Sequence, residues 1–148
     1  MRIFLSMEEV VYETNYWKVV LSENQYYLGR SFVIYKGEAT HLSDLSTEVF
    51  IDLKKVIDLL EVSIKKAFGA THYNWTCLMN DYYKPKNRDK KKELHLHLWV
   101  RYENKVEFEG ETFKDEVFGH HYDKTKEKLV NQKLLSKIAK KISSFIPS

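Results

Sequence analysis

The stretch that decides the fold is Glu93-Leu94-His95-Leu96-His97-Leu98-Trp99-Val100-Arg101-Tyr102. Polar and apolar residues alternate through its first six positions, which is the period of a half-buried β-strand. Because this period is two, Glu93, His95 and His97 lie on one face of the strand and the leucines lie on the other. The leucine face is expected to pack on the core. The other face carries two imidazoles roughly 6.5–7 Å apart at their Cα atoms, which points to imidazole chemistry.

The order of residues in this stretch resembles the signature of the histidine triad (HIT) superfamily of nucleotide hydrolases and transferases. That signature is His-φ-His-φ-His-φ-φ, where φ is apolar, and it is often followed by Pro-Arg and an aromatic residue. Alignment on Arg101 places Glu93, His95 and His97 at the first, second and third triad positions. The alternative register begins the triad at His95 and makes Trp99 its third member. We prefer the first register because it keeps the apolar positions in phase, although Glu93 then replaces a histidine.

Residues 28–48 provide a second point of resemblance. HIT proteins carry a strand of the form Leu-Gly-His/Arg-x-φ-Val-φ-Pro-Lys-x-His, and then Leu-x-Asp-Leu-Ser/Thr-x-Glu opens a long helix. This chain has Leu-Gly-Arg-Ser-Phe-Val-Ile-Tyr-Lys-Gly-Glu over 28–38 and Leu-Ser-Asp-Leu-Ser-Thr-Glu over 42–48. It departs from the family pattern at Tyr35, where proline is usual, and at Glu38, where a histidine near the active site is common.

The pattern along the chain predicts an α+β, HIT-like fold with an antiparallel sheet of about five strands. Runs rich in β-branched and aromatic residues predict strands over 17–21, 26–35, 71–80 and 93–102. The first fifteen residues are mixed in character and give no assignment. We treat residues 1–148 as a single domain, and the family resemblance covers about residues 15–123, including a Phe-Gly-x-His-Tyr segment at 118–122.

Two helices are expected. Apolar residues recur at steps of three and four in one stretch, which predicts a long helix over about 46–68. Ser46 suits the N-cap position of this helix, and Gly69 suits its C-terminal signal. The same spacing near the end of the sequence predicts a C-terminal helix over about 126–145.

Composition limits the class of protein. Hydrophobic residues at 43% and charged residues at 30% are ordinary for a soluble globular protein, and a net charge of +3 is too small to argue for nucleic-acid binding. The single cysteine, Cys77, excludes an internal disulfide and fits a reducing compartment. The apolar run in residues 1–9 is cut off by acids, so we expect no signal peptide. No apolar run approaches the ~20 residues of a membrane span. We therefore expect a cytoplasmic protein without membrane contact.

The histidines are the candidate catalytic residues. A neutral imidazole is a good nucleophile near pH 7, because its ordinary pKa is about 6.5. The resemblance implies that His95 attacks the α-phosphate of a nucleotide and forms a covalent nucleotidyl-histidine. It also implies that His97 hydrogen-bonds the phosphate or the bridging oxygen. A backbone carbonyl holds the other nitrogen of the attacking ring, and Glu93 can supply one whatever its side chain. The alternative is that His95 and His97 are surface residues of the sheet without a catalytic role.

The resemblance adds five candidate substrate-binding residues: Asn80, Asn74, Arg101, Glu93 and Glu38. Asn80 matches a strand-end asparagine that faces the nucleotide in the family, or it simply begins a turn. The two glutamates replace histidines that the family places near the phosphate, where a carboxylate would repel it. They could pair with each other or with a nearby lysine, disable the reaction, bind a metal, or face solvent.

No metal or cofactor is required by this chemistry, although Mg²⁺ could accompany a polyphosphate substrate. His120 and His121 could form a zinc site with His95 and His97, but no zinc-binding motif supports one. Residues 84–92 contain six basic residues where the family has a glycine-rich loop. This loop is either merely solvated or a flexible gate for phosphate.

The sequence thus predicts a nucleotide phosphohydrolase or nucleotidyl transferase. Its expected substrates are dinucleoside polyphosphates, nucleoside phosphoramidates or similar adenylylated compounds. The family resemblance and the aromatic sheet also predict a homodimer. One alternative is a catalytically impaired nucleotide-binding module. A weaker alternative is an RNA-interacting protein that uses the loop at 84–92 and its neighbouring tyrosines.

Overall fold

The five-stranded antiparallel sheet is present. The computed structural model describes residues 8–148; the expectation about a signal peptide therefore falls largely on residues outside the described part. The strands are β1 (Val10–Glu13), β2 (Trp17–Leu21), β3 (Ser31–Tyr35), β4 (His72–Thr76) and β5 (His95–Arg101). They lie in the order β1-β2-β3-β5-β4, and every neighbouring pair is antiparallel. The predicted α+β fold is confirmed, and β1 is an addition from the segment that gave no assignment.

The long helix α1 (Thr47–Phe68) has the predicted ends. The Ser46 side chain accepts a hydrogen bond from the backbone N–H of Val49, and Gly69 closes the helix in the left-handed conformation at φ 75°. The apolar stripe of this helix is buried in the same core as the leucine face of β5. The histidine face of β5 therefore points away from α1.

The C-terminal helix α2 (Gln132–Ser143) is shorter than predicted. Asn131 caps it by accepting from the N–H of Leu134, so the helix begins at Gln132 and not near residue 126. The residues just before Asn131 are extended because they pair with the loop after β2. In this pairing the N–H of Gln25 donates to the Lys128 carbonyl. Their backbone groups are therefore not available for helical bonds.

The predicted strand over 26–35 exists only from Ser31 onward. Before it the chain makes a tight turn, in which the N–H of Arg30 donates to the Tyr27 carbonyl at 2.8 Å. Gly29 adopts φ +92°, and a Cβ there would lie 3.3 Å from a methyl carbon of Val100. A glycine is therefore needed where this turn crosses the core.

A small hairpin follows β5. Its strands are β6 (Val106–Phe108) and β7 (Glu111–Phe113), and the sequence pattern did not predict them. Beyond the hairpin, residues 115–123 fold back over the histidine face of the main sheet. Within residues 8–148, no helix is both long and apolar enough to span a membrane.

Candidate functional site

His95 and His97 line one open cleft. In the sheet register His97 lies opposite Phe32 of β3 and Thr76 of β4, so it occupies the middle of the sheet. The cleft has a volume of about 320 Å³. Its walls also include Arg30, Phe32, Leu78, Met79, Asn80, Asp81, Lys84 and Lys124. The structure thus brings both candidate catalytic histidines together with one of the candidate substrate-binding residues, Asn80.

The His95 ring is oriented by the backbone. Its Nδ1 lies 2.8 Å from the carbonyl oxygen of Glu93, and because a carbonyl can only accept, Nδ1 carries the proton. In the neutral ring the lone pair then belongs to Nε2. Burial lowers the pKa of His95 below its usual value, so the ring is neutral at neutral pH. This orientation suits a nucleophile, and it uses the main chain of Glu93 and not the side chain.

His97 is also neutral. Burial, followed by electrostatic interactions with His95 and Arg30, lowers the pKa of His97 to about 4. Its ring centroid lies 5.0 Å from that of His95. Its Nδ1 is buried and has no hydrogen-bond partner among the residues that the structure describes. A neutral imidazole of this kind can donate one hydrogen bond to a ligand but supplies no charge.

Arg101 and Asn74 lie at the other end of the face, outside the cleft. The Arg101 side chain is 4% exposed and forms an ion pair with Asp115, with Nε 2.7 Å from Oδ2. Its remaining N–H groups donate to Asp115 Oδ1, to Asn74 Oδ1 and to the carbonyls of Val117 and His120. The structure therefore gives Arg101 a packing role that fixes residues 115–120. It does not bring Arg101 or Asn74 next to His95.

The two glutamates have different surroundings. The Glu38 side chain is 91% exposed, and the Nζ of Lys91 lies 3.8 Å from its Oε1. Of the open alternatives for Glu38, two are observed together: the side chain faces solvent, and it makes a loose contact with a lysine of the 84–92 loop. Glu93 is partly buried, and its Oε1 finds no hydrogen-bond partner in residues 8–148. Within the same range, no three His, Cys, Asp or Glu residues are placed to hold a metal ion.

The basic loop is ordered by side-chain contacts. Asn87 is buried and donates to the Asp81 carbonyl at 2.9 Å, while Lys84 forms an ion pair with the Asp81 carboxylate at 2.7 Å. Arg88 and Lys92 lie over the ring of Tyr83, and Lys92 also donates to its hydroxyl. Only Lys84 of the loop's six basic residues lines the cleft.

Sequence reasoning missed three residues at or beside the cleft. Arg30 matches a position of the family pattern that carries no assigned role, although its place directly after Gly29 was a usable signal. Tyr122 stacks on Trp99 with ring centroids 4.1 Å apart, and Lys124 follows it into the cleft wall. These last two residues come from far along the chain, and no local pattern placed them opposite the histidines.

Comparisons with known proteins bear on the fold. No protein-family model matches the sequence, and no curated protein matches it. A histidine triad protein from Marinobacter aquaeolei VT8 has a TM-score of 0.69 and 16% identity, covering 94% of this chain and 88% of that one. A hypothetical histidine triad nucleotide-binding protein from Sulfolobus tokodaii has a TM-score of 0.63 and 18% identity, and the match covers 94% of this chain and 83% of that one.

A Hit-like protein involved in cell-cycle regulation from Bartonella henselae also matches, with a TM-score of 0.63 and 20% identity. That match covers 95% of this chain and 87% of the other. The chain therefore has the fold of the histidine triad proteins, as the resemblance in the sequence predicted.

Proposed function

We propose that this protein is a nucleotide phosphohydrolase or nucleotidyl transferase that acts through a covalent nucleotidyl-His95. The observation that carries the proposal is the 2.8 Å contact between His95 Nδ1 and the Glu93 carbonyl in the wall of an open cleft. It holds a neutral imidazole with its other nitrogen as the nucleophile. The shared fold with histidine triad proteins, one of them described as nucleotide-binding, supports the same reading.

In the first step the lone pair on His95 Nε2 attacks the α-phosphorus of the substrate. A bond from nitrogen to phosphorus forms, and the bond to the leaving-group oxygen breaks, so the electron pair leaves with that group. The ring becomes cationic, and the Glu93 carbonyl stabilises its Nδ1 proton. In the second step water, or another acceptor, attacks the phosphorus and loses a proton. The nitrogen–phosphorus bond then breaks and the neutral ring is restored.

Other residues of the cleft are assigned to binding. His97 donates its ring N–H to a phosphoryl or bridging oxygen, a bond to a charged group that is worth roughly 1.5–3 kcal/mol. Asn80 is exposed at the rim and can bond the phosphate or ribose. A cleft of about 320 Å³ is at the small end of the range for ligand sites. Suitable substrates are dinucleoside polyphosphates, phosphoramidates and adenylylated compounds, and Mg²⁺ could accompany a polyphosphate without entering the histidine step.

The test is capture of the intermediate. Wild-type protein incubated with a dinucleoside polyphosphate or a nucleoside phosphoramidate, then denatured at alkaline pH, should carry one nucleotidyl group by intact mass. The His95→Ala variant should carry none, whereas a matched His41→Ala variant, altered at an exposed histidine, should behave as wild type. Turnover by the His95→Ala protein would rule out the proposed nucleophile.

A second candidate is a nucleotide-binding module that does not turn over. The buried Glu93 carboxylate beside His95 favours it, because a negative charge there would oppose the approach of a phosphate. Binding of AMP by calorimetry, together with no covalent adduct from any of the substrate classes above, would select this candidate.

We also propose a cytoplasmic homodimer. The edge strand β4 leaves one side of its backbone unpaired within the described sheet, and Val62 of α1 is an exposed apolar residue. The lone Cys77 fits a reducing compartment. Light scattering during size exclusion should give twice the mass of one chain; a mass of one chain at every concentration would exclude the dimer.

A further inference from the structure

Arg30 lies in the cleft without a defined role in the chemistry above. We propose that Arg30 is a further catalytic residue whose guanidinium binds the phosphoryl oxygens of the group attacked by His95. In this role it supplies the positive charge that Glu93, at the first triad position, cannot supply. The inference rests on the proposed function for its reaction, but its binding component can be tested without turnover.

The backbone of Arg30 is fixed from three directions. Its N–H donates to the Tyr27 carbonyl at 2.8 Å, and its carbonyl accepts from the N–H of Ser22 and from the Gln25 side-chain amide, both at 3.0 Å. Gly29 immediately before it holds a positive φ that allows the turn. The side chain therefore starts from a rigid point at the entrance to β3.

The side chain is held flat against aromatic rings. Its Cζ lies 3.7 Å from the centroid of the Trp99 ring and 5.6 Å from that of Phe32. The His97 ring contacts the same two rings, with centroid distances of 5.9 Å to Trp99 and 5.2 Å to Phe32. The guanidinium and His97 thus share the same two rings, and both line the cleft wall.

Within residues 8–148, no residue accepts a hydrogen bond from this guanidinium. Its Nε is buried without a hydrogen-bond partner, and no carboxylate in the described part of the chain forms an ion pair with it. Burial lowers the pKa of Arg30 to about 10, so the group is still charged at neutral pH. A partly buried charge without a partner is costly, and an anion in the cleft would remove that cost.

The chemistry of the cleft indicates which anion this is. An arginine fork matches two phosphoryl oxygens at once, and it remains charged while they gain negative charge in the transition state. His97 is neutral and cannot do this. Lys84 is already paired with Asp81, and Lys124 is exposed at the rim. Of the cations that line this cleft, Arg30 is therefore the one best placed to stabilise the phosphoryl group during attack by His95.

The experiment compares three variants by the single-turnover rate of nucleotidyl-His95 formation. Arg30→Met keeps an apolar stem on Trp99 and should lower the rate by about 10²–10³-fold, the usual effect of losing one transition-state donor. Arg30→Lys keeps the charge without the fork and should lie between Arg30→Met and wild type. The matched control Arg88→Met, at an exposed arginine of the basic loop, should stay within about threefold of wild type. A thermal melt establishes that each variant is folded, and an Arg30→Met rate within threefold of wild type would overturn the inference.

Binding separates this inference from the proposed function. Calorimetry with AMP and with adenosine measures the phosphate contribution alone. Wild type should bind AMP at least about tenfold more tightly than adenosine, and Arg30→Met should remove most of that preference. If no covalent adduct forms but wild type prefers AMP and Arg30→Met loses that preference, the proposed reaction is wrong and the anion-binding role of Arg30 is supported. An AMP preference that survives in Arg30→Met and Arg30→Lys alike, or one absent from wild type, would overturn that role.

Discussion

Two arginines lie on the same face of the sheet and have opposite surroundings. Arg101 donates all five of its N–H groups, two of them to the buried carboxylate of Asp115. Arg30 stacks on Trp99, but it has no carboxylate partner in the part of the chain that the structure describes. From this difference we infer that the charge of Arg101 stabilises the fold, whereas the charge of Arg30 is the one that we propose for ligand binding.

The physical reason is the cost of removing a charge from water. At the Arg101 end this cost is offset inside the protein, because every donor meets an acceptor and the ion pair is complete. At the Arg30 end polar atoms stay unsatisfied in the same small region, including Arg30 Nε and His97 Nδ1. Unsatisfied buried polar atoms are uncommon in folded proteins, and their clustering supports the proposal that this end binds the ligand.

The largest expected effect is on stability at the Arg101 end. Arg101→Met leaves the Asp115 carboxylate, whose side chain is 1% exposed, without its counter-charge. We expect a loss of about 3–5 kcal/mol in the free energy of unfolding, as for other broken buried pairs. Arg30→Met should cost less than about 1 kcal/mol because it breaks no ion pair. Urea unfolding of both variants measures this; similar losses would erase the contrast between the two arginines.

The free energy of unfolding should depend on pH through His97. The pKa of His97 is about 4 in the folded protein, against about 6.5 in an unfolded chain. The unfolded state binds the proton more readily, so stability falls as the pH drops from about 6.5 to about 4. The change is on the order of 3 kcal/mol, and His97→Gln should remove it. Unfolding curves of wild type and His97→Gln across this range give the comparison, and parallel pH dependences would contradict it.

A smaller effect is expected at Glu93. Neutralising its buried carboxylate with Glu93→Gln removes a negative charge close to the cleft but keeps the backbone carbonyl that holds His95. We expect AMP to bind more tightly by roughly 1 kcal/mol, or about fivefold. Calorimetry at two salt concentrations measures it. Weaker binding in Glu93→Gln would show instead that the carboxylate contributes to the site.

The smallest effect is expected at Glu38. This side chain is 91% exposed and only loosely contacts Lys91. Glu38→Gln should change the free energy of unfolding by less than about 0.5 kcal/mol and leave AMP affinity unaltered. A marked loss of AMP affinity would restore Glu38 to the substrate-binding role that the family resemblance implied.

The main elements of the fold could be predicted because their signals are local. Period-two alternation placed the histidines on one face of β5, and Ser46 and Gly69 marked both ends of α1. The start of α2 could not be predicted in this way. The residues before Gln132 pair with a loop that lies more than a hundred positions earlier in the chain, and this pairing overrides their helical spacing.

The candidate site also has a part that local signals predict and a part that they do not. The sequence found His95 and His97 from the motif strand, and it found Asn80 from the match to a strand-end asparagine of the family. It also named Arg101 and Asn74, which the structure places in contact with each other and away from the cleft. Strand membership alone could not distinguish the two ends of one face, because that depends on which later segment covers each end.

The sequence by itself determined the sheet, the long helix and the presence of two imidazoles on an outward face, because these follow from spacing along one strand or helix. Only the tertiary structure decided the roles of the two arginines. Residues 115–120 supply the acceptors that neutralise Arg101, whereas Trp99 gives Arg30 a surface to stack on but no counter-charge. The charge state of a site depends on contacts between distant parts of the chain, and no local pattern records them.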